Sequence, residues 1–73
     1  MKKYYLIVAI TKYDGLEFTT TFTHVSILEP DKNELGKIIE KYYIHQDSEE
    51  EIEDINCKEI PFSDYEVLMK YGI

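Results

Sequence analysis

The sequence predicts a small α+β domain with the element order ββαβα: a three-stranded antiparallel sheet in the order 2-1-3, a helix packed on one face, and a short C-terminal helix. Three observations carry that expectation. Two β-branched and aromatic runs, 3–13 and 16–27, flank Asp14-Gly15, a dipeptide suited to the two-residue type I′ turn of a hairpin. Leu35, Ile38, Ile39, Tyr42 and Tyr43 recur at the three-and-four spacing of one helical face. A third strand-like stretch, 53–60, is followed by a short helical pattern with Tyr65, Leu68 and Met69 on one side.

A two-residue loop sets Tyr13 opposite Leu16, and therefore Ile7 opposite Phe22 and Tyr5 opposite His24. One face of the hairpin then carries Tyr5, Ile7, Ala9, Leu16, Phe18 and Phe22. The other carries Tyr4, Leu6, Val8 and Ile10 beside Thr19, Thr21, Thr23 and Val25. The first strand is apolar on both faces and the second keeps threonine on one, the pattern of a central strand beside an edge strand. The third strand closes the sheet on the free side of the first. Asp31 and Glu34 stand at capping-box spacing for the first helix, and Ser63 and Glu66 do the same for the second, with Gly72 as its stop. Tyr42 is expected in the core and Tyr43 at its edge. Residues 1–73 are expected to form a single domain, since 73 residues give neither a repeat nor a linker.

A chain of this size buries little more than about 60% of its unfolded surface, so its core is near the lower limit of self-sufficiency. Its one cysteine, Cys57, cannot form a disulfide within the chain. A free thiol and the lack of an export signal suggest a cytoplasmic location, and the apolar run Tyr4–Ile10 is far short of the ~20 residues of a membrane helix. The formal net charge of −7, with 15 acidic side chains against 8 basic ones, disfavours direct binding to nucleic acid or to an anionic membrane.

No residue pattern points to catalysis, and the chain is expected not to be an enzyme. His24, His45 and Cys57 are scattered, without the three or four convergent ligands of a metal site or an oriented nucleophile and base. The three glycines, Gly15, Gly36 and Gly72, are isolated, so no phosphate-binding loop is present and no cofactor is expected. The acids do cluster. Asp47, Glu49, Glu50, Glu51, Glu53 and Asp54 crowd into one short segment, with Glu40, Tyr43 and His45 nearby at the end of the first helix. A solvated connection is the plain explanation of such a run, and a partner-facing patch is the functional one.

Two classes of function follow. The first is a small acidic protein-binding module that engages a basic surface on another protein through Asp47, Glu49, Glu50, Glu51, Glu53, Asp54, Glu40 and Tyr43. In size and charge the chain is similar to phage-encoded inhibitors of host nucleic-acid-binding defence proteins, including anti-CRISPR and anti-restriction proteins. That similarity implies nucleic-acid mimicry in the host cytoplasm. The second is a structural or oligomer-forming subunit domain. It would form a homodimer through the sheet face bearing Tyr4, Leu6, Val8 and Ile10, if the short C-terminal helix does not cover that face.

Overall fold

The computed structural model describes residues 1–44 and 49–73. The chain runs β1 (Lys3–Tyr13), β2 (Leu16–Ser26), α1 (Lys32–Tyr42), β3 (Glu51–Ile60) and α2 (Phe62–Lys70). The strands form one antiparallel sheet in the order β2-β1-β3, the α+β arrangement expected from the sequence. Asp14 and Gly15 both take positive φ, 51° and 77°, as a type I′ turn requires. That turn fixes the whole hairpin register, with Tyr13 opposite Leu16, Ile7 opposite Phe22 and Lys3 opposite Ser26.

The face of β1 bearing Tyr5, Ile7 and Ala9 is the core face. Those residues are buried together with Phe22, Ile55, and Leu35 and Ile39 of α1. Ile7, Leu35 and Ile39 are fully buried, each a side chain whose removal from water stabilises the fold by about 1.5–3 kcal/mol. Asp31 caps α1 by accepting from the Glu34 N–H at 2.7 Å. Leu16 and Phe18 share the core face by register but lie beyond the reach of α1 and stay exposed.

β3 begins two residues earlier than expected and contains a bulge. Ile10 pairs with Asp54 but Thr11 pairs with Ile52, which leaves Glu53 as the extra residue. The cause lies in the spacing of the isoleucines. Ile52 and Ile55 are three apart, so a regular strand would send them to opposite faces. The bulge returns both to the core side, where Ile55 is buried and Ile52 packs against the cluster.

α2 lies on the opposite face of the sheet. Tyr4 meets the rings of Phe62 at 5.1 Å and Tyr65 at 4.6 Å, and the Thr23 hydroxyl donates to the Ile73 carbonyl at 3.1 Å. The helix does not start with the Ser63–Glu66 box. Its N-cap is Pro61, whose carbonyl accepts from the Asp64 and Tyr65 amides, and Ser63 falls inside the first turn. Starting at Phe62 lets that ring dock on Tyr4, a contact a helix beginning after Ser63 would not place. Gly72, at φ 79°, ends the helix as expected: its N–H donates to Met69 and the Ile73 N–H to Leu68, the paired bonds of a Schellman cap. No residue of α2 is buried, and none of the described helices is long and apolar enough to cross a membrane.

Candidate protein-binding surface

β3 leaves the acidic segment at the hairpin end of the sheet. Glu51 pairs with Lys12 and Asp54 with Ile10, so both acids project from the face opposite α1. The bulged Glu53 joins them, with its carboxylate 3.7 Å from the Lys12 ammonium. The bulge therefore sorts the segment: isoleucines to the core, carboxylates to the other face and the edge. Glu51, Glu53 and Asp54 are exposed, as is Glu49 just before the strand, and Glu50 is half-buried. One Asp54 carboxylate oxygen accepts from the Ile55 N–H at 2.9 Å, which holds that side chain against its own backbone. Asp47 and His45 lie outside the described residues.

Glu40 and Tyr43 come to different places. Glu40 is exposed on α1 and lines an open groove of about 550 Å³ between α1 and β3, with Ile52 and Ile55 as its floor and Lys32 and Lys37 along it. It is thus brought beside the start of β3. Tyr43 instead stacks on Phe22 of β2, at 4.8 Å and 18° between rings, with nearly half its surface exposed. β1 intervenes between β2 and β3, and Phe22 is level with Cys57, so Tyr43 is separated from Glu51 and Asp54 across the sheet, along the strand and by face. Tyr42 corrects the expectation of a core position. It is 67% exposed, because α1 turns it outward, and the Lys41 ammonium lies over its ring at 5.2 Å.

Two acids join the patch that the linear sequence did not group with it. Lys12 stands in register between Glu17 of β2 and Glu51 of β3, and Asp14 occupies the turn beside them. Asp14, Glu17, Glu49, Glu51, Glu53 and Asp54 thus share one end of the sheet with a single lysine, all of them exposed. The Glu17–Lys12 half of this arrangement was available from the hairpin register. The Glu51 half needed the pairing of β3, which no turn signal fixes. Among the described residues the patch holds one ion pair, Lys12–Glu53, and at such exposure it contributes no more than about 1 kcal/mol. Tyr13, Leu16 and Phe18 stay exposed at the same end of the sheet, on the core face, while Glu17, Glu51 and Asp54 project from the opposite face.

The groups that could do nucleophilic chemistry are not brought together. Cys57 and His24 flank β1 on opposite sides, about two strand spacings or ~10 Å apart. Burial, with the Glu29 carboxylate adding to it, pushes the Cys57 thiol up, which keeps it in the unreactive protonated form. Among the described residues no cluster of histidine, cysteine and carboxylates has the geometry to hold a metal ion. No protein-family model, curated protein or solved structure matches this chain.

Proposed function

We propose that the chain is a small acidic protein-binding module whose carboxylate-rich hairpin end occupies a basic, nucleic-acid-binding site on another protein. The observation that carries this reading is the gathering of Asp14, Glu17, Glu49, Glu51, Glu53 and Asp54 at the Lys12 end of the sheet, with Tyr13, Leu16 and Phe18 exposed on the other face of that end. A set of carboxylates with a single paired lysine presents a strong negative field, which steers a positively charged partner into encounter. The exposed aromatic and aliphatic side chains of that end supply the desolvated contacts that give such an encounter a slow off-rate. Inhibition of a host defence protein by occupying its nucleic-acid groove is the biological form of this activity that we favour.

The test is capture and competition. Immobilised protein is expected to retain basic, nucleic-acid-binding proteins from a host lysate, and added duplex DNA should release them. The triple substitution Glu49→Lys, Glu50→Lys and Glu51→Lys should abolish retention while leaving the circular dichroism unchanged. Retention that survives this reversal, or that DNA does not disturb, would sink the proposal.

A second reading, a structural or oligomer-forming domain, is favoured by the partly covered sheet face. Tyr4 is packed under α2, yet Tyr4, Leu6, Val8 and Ile10 are all only half-buried. Ile10→Lys on that face should leave a monomer unaffected and should dissociate a dimer built there.

A further inference from the structure

We infer that the edge of β2, unpaired among the described residues, is a self-pairing surface, on which a second copy of this chain docks antiparallel about Thr21 to make one continuous six-stranded sheet. This inference does not rest on the proposed function, although Leu16, Glu17 and Phe18 belong to both surfaces.

The two edges of the sheet are guarded differently. β3 carries Glu51, Glu53, Asp54, Lys58 and Glu59 and a bulge, all features that discourage pairing with another strand. β2 runs from Phe18 to Ser26 without an acid, a lysine, a proline or a break in register. Its threonines and aromatics are residues that favour the pleated conformation. A long, regular, unguarded edge of this kind is a template for another strand.

The hairpin determines which backbone groups face outward. A two-residue loop closes on a hydrogen-bonded pair, here Tyr13 with Leu16, and bonded pairs then recur at every second residue. The N–H and C=O of Glu17, Thr19, Thr21, Thr23 and Val25 therefore point to the free edge. A two-fold axis at Thr21 pairs Glu17 with Val25, Thr19 with Thr23 and Thr21 with its own copy. This satisfies all of those groups and uses the whole 11-residue strand.

Two further observations select a second copy as the occupant. Exposed apolar side chains sit at both ends of this edge: Leu16 and Phe18 at 62% and 45% exposure near the turn, and Ile27 and Leu28 at 68% and 77% just past Ser26. Pairing about Thr21 sets Leu16 of one copy opposite Ser26 of the other, beside its Ile27 and Leu28. Antiparallel pairing also holds the two acidic patches at opposite ends of the assembly, where they do not repel one another.

Light scattering of the full chain at high micromolar concentration should return twice the 8.7 kDa of one chain. Thr21→Pro removes an N–H that faces the partner and none that faces β1, so it should stay folded and run as a monomer. In the unsubstituted protein, exchange of the Thr19, Thr21 and Thr23 amides should slow by at least about tenfold as concentration rises through the dimerisation range. A monomer at all concentrations overturns the proposal. So does fast, concentration-independent exchange at Thr19 and Thr21, a result that decides the matter even if Thr21→Pro fails to fold. A dimer that survives Thr21→Pro but is lost in Ile10→Lys would place the interface on the sheet face instead.

Discussion

Tyr5 sits in the core at 1% exposure with its hydroxyl unpaired among the described residues, a polar group held away from water. An unsatisfied buried hydroxyl is destabilising relative to a ring without it. Burial, partly offset by Lys3 and reinforced by Glu59 and Glu29, raises its pKa above the ordinary 10.0, and burial raises Cys57 above 9.0. For both groups the fold favours the protonated form. Their contribution is thus complete below the unfolded values and is lost as pH climbs through the folded ones, because the unfolded chain releases the protons more readily. Tyr5→Phe is expected to unfold at a urea concentration no lower than the parent and to flatten the loss of stability above pH 10.0. A clearly lower midpoint would mean that the hydroxyl has a partner. At this scale the sequence was informative about Tyr5 as a core residue, since it lies opposite His24 by turn register alone, but the fate of its oxygen depends on what packs above it.

Elements whose signals are local were legible in the sequence; those that need a distant partner were not. α1 follows from Asp31 and the Leu35, Ile38, Ile39 spacing. The exposure of Tyr42 does not follow from the sequence, because Tyr42 satisfies the same periodicity while lying outside the stripe that β1 and β3 cover. Asp31→Ala should lower stability by about 1 kcal/mol through loss of the bond to the Glu34 N–H. Gly36→Ala should raise it by roughly 0.5–1 kcal/mol, since an added Cβ there meets nothing within 4 Å and the backbone entropy of glycine is removed. Urea denaturation of the two single variants checks both signs. The start of α2 escaped for a tertiary reason: the docking of Phe62 on Tyr4 outweighs the local capping choice of Ser63. The acidic run was plain from adjacency. Its extension to Asp14 and Glu17 was hidden, because only the pairing of β3 with Lys12 brings the turn to it.

For the molecule as a whole, a net charge of −7 is distributed unevenly. The hairpin end is almost wholly acidic, and at the opposite end the charges are mixed, with Lys3 paired to Glu59 and Glu29 close by. The sheet is correspondingly two-sided: α1 seals one face with buried leucine and isoleucine, and α2 rests on the other without a buried residue. Local opening is expected to begin at α2, with exchange at its amides faster than at Leu35 or Ile39 of α1. The bulge ties these features together and has a consequence for how the chain can vary. Deleting Glu53 would leave Glu51 and Asp54 on one face and Ile52 and Ile55 on the other, in an ordinary alternating strand. Such a deletion should fold with a melting temperature close to that of the parent, whereas deleting Asn56 should collapse it by reversing Cys57 and every later residue of β3. The start of β3 is therefore a point of tolerance in chain length. A residue and its negative charge can be added or dropped there while the interior keeps its register.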